Sequence, residues 1–359
     1  MKRKTITAIL FAAAMTMLTA CGSLGAISAE LDDTEVTDEQ SSLITIGFSQ
    51  IGSESDWRMA STKSVQEAFT VENGYNLIYN DGQQKQENQL KAIREFIDQD
   101  VDYILLDPSV ENGWDSALME AKEAGIPVIV YDRRVEVEDE DLYVAWIGSD
   151  FLLEGQKACA WLDKYLESIG YEEDVNIVDL QGTLGASAQI GRTDALNEAV
   201  KRHDNWHLIA QESGDFTTAK GKEVMESMLR NNGSNIDVVY CENDNMAYGA
   251  IEAIEAAGYR IGKDIENGEM LLISFDSTHE GLKLTMDGSI AVNTECSPLY
   301  GEMLVEMIEA LERGEELPKN TYIEEEQFST FKGINSVRVG SNVYYVNMLS
   351  AELIESREY

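Results

Sequence analysis

The 359-residue chain is predicted to be an α/β protein made of two doubly wound, parallel-sheet lobes. Three observations predict this. Short β-branched runs recur with longer amphipathic stretches between them. The runs are apolar throughout instead of alternating, the mark of strands covered on both faces. The rhythm also breaks at one long helical stretch and then restarts, which fits two sheets better than one.

In chain order, the first set of strands is 43–48 (LITIGF), 75–80 (YNLIYN), 102–107 (DYILLD), 127–132 (PVIVYD) and 142–147 (LYVAWI). Between them, 58–72 carries Met59, Val65, Ala68 and Phe69 at helical spacing, and 84–99 carries Leu90, Ile93, Phe96 and Ile97. A helix over 150–169 separates the halves. The second set is 174–180, 206–212, 236–241, 269–275 and 289–294, with helices over 243–257 and 297–313 among the intervening segments.

The N-terminus has a different composition. Lys2, Arg3 and Lys4 precede an apolar run from Ile6 to Leu18, too short to span a bilayer unaided. Residues 1–20 therefore read as a signal peptide. LTAC, Leu18 to Cys21, resembles the lipobox of bacterial lipoproteins, and the resemblance implies cleavage before Cys21 and lipidation of its thiol. Residues 21–42 are polar and acidic without apolar periodicity, as expected of a tether behind a lipid anchor. Three further cysteines, Cys159, Cys241 and Cys296, lie in apolar contexts and are expected to be buried free thiols.

With 27 basic against 66 acidic side chains the formal net charge is −39. Such a surface lacks the basic footprint of nucleic-acid binding and does not dock on anionic lipid through a polybasic face. The chain has 3 histidines, and no G-x-S-x-G elbow, Walker loop or dinucleotide fingerprint. His203 and His207 are spaced H-x-x-x-H without the glutamate of a metalloprotease helix. Neither a metal nor a cofactor is expected, and the acidic run 136–141 reads as a solvated turn.

Ligands of open α/β sheets bind beyond the carboxyl ends of the strands, so the residues that follow each strand are informative. In the first half these are Trp57 with Arg58, then Asp107, then Asp132 with Arg133. In the second half they are Gln181 and Arg192, Asp215 and Phe216, Asn243 and Asp244, Asp276, and Glu295. Carboxylates and amides that span neighbouring hydroxyls, guanidinium forks and aromatic rings are the recipe for a sugar, whose C–H face a ring covers. Each strand-end aspartate has a simpler reading as a helix cap; it is the convergence that favours a cleft.

Several long motifs carry a family likeness: GFSQIGSESDWR, DGQQKQENQLKAIREFI, GWDSALMEAKEAGIPV, YDR, DLQGTLGASAQIGR and SGDFTTAKGKEVMES. Over most of 44–317 the chain resembles the sugar-binding lipoproteins and periplasmic proteins of bacterial ABC transporters. The resemblance is to the ribose- and galactose-binding group, and within it the chain looks most like galactofuranose-binding proteins and their fructose- and arabinose-type relatives. The resemblance implies two lobes joined by a three-stranded hinge, closing on one monosaccharide, with permease subunits as partners and no enzymatic activity. It assigns ligand contacts to Trp57, Arg58, Asp132 and Arg133 from one lobe. From the other it assigns Arg192, Asn243, Asp276 and Glu295, with Phe216 as a stacking partner. Asp107 joins them from its place at a strand end.

On this mapping lobe one comprises 43–148 plus 297–320 and lobe two 149–296 plus 321–359, with crossovers near 148–150, 296–298 and 317–321. Glu242 and the stretch after Asp276 depart from the family pattern, and both are expected to bear on hydroxyl preference. Beyond Phe331 the resemblance fades, and 331–359 reads as an extension packed on a lobe. Two other functions stay open: a sugar sensor signalling to a membrane kinase or chemoreceptor without transport, and a glycosidase-like enzyme using Asp132 and Asp276.

Overall fold

The computed structural model describes residues 43–359; the expected signal peptide, Cys21 and the tether lie outside them. Lobe one begins with β1 (Ile44–Gln50), α1 (Asp56–Ala68), β2 (Tyr75–Asp81), α2 (Gln86–Asp98) and β3 (Tyr103–Leu106). It continues with α3 (Asp115–Ala124), β4 (Val128–Tyr131) and β5 (Ala145–Gly148). Lobe two contains α4 (Phe151–Ile169), β6 (Val175–Gln181), α5 (Ser187–Arg202), β7 (Trp206–Ser213), α6 (Thr218–Asn232) and β8 (Val238–Cys241). After these come α7 (Asp244–Ala256), β9 (Arg260–Ile261), β10 (Glu269–Asp276), α8 (His279–Asp287) and β11 (Val292–Glu295). The chain returns to lobe one for α9 (Gly301–Glu312) and β12 (Asn320–Tyr322). It then re-enters lobe two with β13 (Gln327–Ser329), β14 (Ser336–Val339), β15 (Asn342–Tyr345), β16 (Asn347–Met348) and α10 (Ala351–Ser356).

The first sheet runs β12-β5-β4-β3-β1-β2 and is parallel throughout. The second runs β16-β13-β11-β10-β8-β6-β7, with only the β11–β13 pair antiparallel. Strands β3, β4 and β8 are buried at every residue, as continuous apolar runs between two helical layers should be. Both sheets change direction of winding beside their first strand, and there the strand ends open into a crevice.

The three crossovers fall at Ser149–Asp150, Cys296–Tyr300 and Ile323–Glu326. The third lies a few residues later than the expected 317–321. Asn320–Tyr322 first pair with Trp146–Gly148 and cover the open edge of lobe one's sheet, so 321–322 belong to lobe one. Asp150 also caps α4, accepting from the Leu153 amide at 3.0 Å, so the first crossover ends in a fixed helix start. The crossovers are tied to each other. Glu325 Oε1 accepts from Ser149 Oγ at 2.7 Å and from the Ser297 amide at 2.8 Å.

The C-terminal segment packs on lobe two. The β14–β15 hairpin lies on α4, burying Ile334, Val337 and Val346 in the core around Trp161, while α10 rests on α8. Cys159, Cys241 and Cys296 are buried free thiols.

Candidate functional site

In lobe one the site is built on the start of α1. Ser55 caps that helix, its Oγ accepting from the Arg58 amide at 3.1 Å, which fixes Trp57 and Arg58 in the first turn. Arg58 is 2% exposed and gathers three carboxylates: Glu54 at 3.0 Å, Asp132 at 2.9 Å, and Asp107. Burial alone would lower the Arg58 pKa, but Asp107, Glu54 and Asp132 overcome it and hold the guanidinium firmly charged. Burial pushes the Asp107 carboxyl upward, against the pull of Arg58. Arg133 is lowered by burial and by the neighbouring Arg58, and it donates to the Ser109 backbone oxygen at 2.9 Å.

Trp57 donates through Nε1 to the Cys296 backbone oxygen at 2.6 Å and meets the Tyr300 ring edge-on, so it touches the second crossover. Its ring also lies 4.6 Å from the Arg58 guanidinium.

In lobe two the counterpart of Arg58 is Arg192 on α5. It pairs with Glu154 at 2.8 Å and Asp276 at 3.4 Å, donates to the Glu242 backbone oxygen, and packs on the Phe275 and Phe151 rings. Burial would lower its pKa, but Glu154 and Asp276 raise it further. Burial pushes the Asp276 carboxyl up to about 8, although Arg192 opposes it. Asn243 caps α7 through its oxygen, and its amide nitrogen donates to the Phe216 backbone oxygen at 3.1 Å.

The backbone is bent to aim these groups. Asp132 (φ 56°), Phe216 (φ 60°) and Asp276 (φ 95°) all occupy the left-handed region that side chains other than glycine avoid. Phe216 lies so close over Gly182 that a Cβ there would sit 1.9 Å from its ring. Only glycine admits the ring at that point.

Between the lobes these residues line a small cavity of about 30 Å³. Trp57, Arg58, Asp132, Arg133, Arg192, Phe216, Asn243 and Asp276 line it. The rim is closed by bonds across the cleft. The Glu111 amide donates to the Gly185 oxygen at 2.9 Å, the Arg134 amide to Ser187 Oγ at 2.9 Å, and the Asp56 amide to Asn245 Oδ1 at 3.3 Å. Arg133 also meets the Phe216 ring at 5.2 Å across the same gap.

Two expected contacts lie elsewhere. Asp107 is fully buried behind Arg58 and orients it without lining the cavity. Glu295 is a correction: its carboxylate turns outward to Arg357, to the Tyr359 hydroxyl at 3.0 Å and to the Glu326 amide at 2.8 Å. Glu242 also stays out of the cavity, buried beneath the Gly182 amide and Thr193. Phe151 and Cys296 also line the cavity and were not among the contacts expected from the sequence. Ser55 is the cap; Glu54 lines the cavity with one oxygen buried and unpartnered. Glu54 precedes the cap, and its other oxygen reaches Arg58 Nε at 3.0 Å from outside the helix.

Chemically the cavity pairs its guanidiniums with carboxylates. Arg58 and Arg192 are each matched by two or three acids, while Arg133 adds a guanidinium held by a backbone oxygen. Polar donors and acceptors around aromatic faces suit a small neutral polyol.

Two α/β lobes on three crossovers, with strand ends converging on an enclosed polar and aromatic cavity, define a hinged, cleft-closing binding protein. The chain belongs to the periplasmic binding protein domain family, whose profile matches residues 46–316. It is 43% identical over 278 residues to the galactofuranose-binding protein YtfQ of Escherichia coli (strain K12), covering 77% of this chain and 84% of that one. A crystal structure from Mycobacterium smegmatis in complex with β-D-fucofuranose superposes with a TM-score of 0.75 at 41% identity, covering 80% and 91% of the two chains. The periplasmic binding component of the arabinose ABC transporter from Shewanella sp. ANA-3, bound to α- and β-L-arabinofuranose, gives 0.73 at 39% identity, covering 79% and 91%. These relatives are binding proteins, and the chain is a binding protein and not an enzyme.

Proposed function

We propose that the protein captures a monosaccharide in its furanose form and delivers it, in the closed state, to the permease subunits of an ABC importer. The observation that carries this reading is the cavity itself. Trp57, Arg58, Asp132 and Arg133 face Arg192, Phe216, Asn243 and Asp276 across the cleft, so that a small ligand there would be gripped by both lobes. The guanidiniums and carboxylates hold the hydroxyls with charge-assisted bonds, and Trp57 and Phe216 cover the C–H faces. The unpartnered oxygen of Glu54 takes one more hydroxyl proton. Closure expels water and strengthens each of these bonds. The furanose preference rests on relatives that bind galactofuranose, β-D-fucofuranose and arabinofuranose.

The lipobox-like LTAC supports attachment to the outer face of the cell membrane through Cys21, the preceding residues acting as an export signal. Among the described residues no helix is long and apolar enough to cross a membrane.

A thermal-shift series with D-galactose, L-arabinose, D-fructose and D-ribose tests the ligand class, since a ligand that binds only the native state raises its midpoint. Solution scattering on the same samples tests closure, with a smaller radius of gyration expected on binding. No shift with any furanose-forming sugar would sink the reading. Cys21→Ser is expected to move the chain from the membrane fraction to the soluble one.

A further inference from the structure

The hinge holds a pair of acids that the cavity does not use. Glu325 lies in the third crossover, and one of its oxygens is occupied by Ser149 and Ser297 from the other two. Its carboxyl lies beside that of Glu154 on α4; one oxygen of each and Cys296 Sγ all fall within 4.8 Å of one another. Glu154 is 1% exposed; one oxygen holds Arg192, and the other is buried with no partner.

The surroundings are poor in compensating charge. Lys157, on the same helix as Glu154, donates to the backbone oxygen of Glu325 at 3.1 Å and forms no ion pair with either carboxylate. Arg192 lies on the far side of Glu154 and is shared with Asp276. The remaining neighbours, the Cys296 thiol and the Tyr300 hydroxyl, are both pushed upward by burial and carry no charge. Two buried carboxylates within 4.8 Å of each other and without a cation between them cannot both be ionised at low cost. A proton on Glu325 supplies the donor that the orphan oxygen of Glu154 lacks.

We propose that Glu325 and Glu154 hold a single proton between them at the hinge, and that this proton keeps Arg192 aimed into the sugar cavity. Glu325 is thus a positioning residue for binding. With the proton present, Glu154 is fixed from both sides and presents Arg192 to the ligand. When it leaves, the two carboxylates repel and Glu154 loses its hold on the crossover. Burial, then Glu154, raise the Glu325 carboxyl well above its ordinary range. The stabilisation is therefore complete below the usual glutamate range and is lost as pH rises through the raised value. The link to affinity rests on the sugar reading of the cavity; the shared proton does not.

The test compares the full chain with Glu325→Gln, in EDTA, from about pH 5 to about pH 8. Glutamine keeps the acceptor for Ser149 and Ser297 and donates permanently to Glu154. The thermal midpoint of the unliganded wild type is expected to fall more steeply with rising pH than that of the variant. The wild-type dissociation constant for D-galactose is expected to rise up to about tenfold per pH unit more steeply than the variant's, the limit for one linked proton. Asp276 and Asp107 titrate in both proteins and cancel in the comparison. Glu325→Ala leaves Glu154 without a donor and is expected to bind more weakly even at about pH 5. Parallel midpoint profiles for wild type and Glu325→Gln overturn the shared proton. Distinct midpoints with parallel binding profiles overturn its link to Arg192. If D-galactose binds at no pH, the sugar reading fails while the midpoints still decide the shared proton.

Discussion

Arg58 binds the cavity together at the level of single residues. It is buried against Glu54, Asp107 and Asp132, and removing it strands three acids in a low-dielectric site. Arg58→Gln is therefore expected to destabilise the chain by about 3–5 kcal/mol, read from urea unfolding, as well as abolish the sugar-induced thermal shift. Trp57 has two jobs, shielding the cavity and anchoring the second crossover through Cys296. Trp57→Phe keeps a ring in place but leaves that backbone oxygen without its donor, at an expected cost of about 1–2 kcal/mol in the unliganded protein. These residues were legible in the sequence because a tryptophan beside an arginine past a strand end has few structural uses. Glu295 was misassigned because its partner Arg357 is 62 residues away, in a tail that carries no family pattern. Glu325 was invisible for the same reason: nothing near it in the chain announces that Ser149 and Glu154 will face it.

Elements set the aim of those residues. Continuous apolar runs identified central strands such as β3, β4 and β8, since a strand buried on both faces leaves little room for polar residues, whereas β2 and β7 are half-exposed edge strands. The short strands β9, β12, β13 and β16 have no such signature; they are added by pairing with edges already formed. That is why the third crossover is displaced: β12 exists because β5 offers an open edge. The turn after β6 shows how an element positions a side chain, with Gly182 yielding its space to Phe216. Gly182→Ala is expected to push the ring off its seat and to cost about 1–3 kcal/mol, the usual penalty for overpacking. The sugar-induced thermal shift should shrink with it.

At the scale of the whole molecule, buried carboxyls make stability depend on pH in an unusual direction. Asp276 is raised to about 8, so its contribution is intact below the ordinary aspartate range and is lost as pH climbs through about 8. The unliganded thermal midpoint should therefore decline between about pH 4 and pH 8, and Asp276→Asn should flatten that decline. A surface carrying a formal −39 adds self-repulsion that salt screens, so moderate salt should raise the midpoint without altering the slope from Asp276.

The bonds across the rim, from Glu111 to Gly185, Arg134 to Ser187 and Asp56 to Asn245, join one lobe directly to the other. They therefore act as a latch on the way in as well as on the way out. A sugar enters only while the latch is undone, so capture has a speed limit set by the protein's own opening and not by diffusion. In a stopped-flow record of intrinsic tryptophan fluorescence, the observed rate should level off as sugar concentration rises, and Ser187→Ala should lift that ceiling. Loosening the rim would then give faster loading with a shorter grip, an exchange that tighter contacts inside the cavity cannot make.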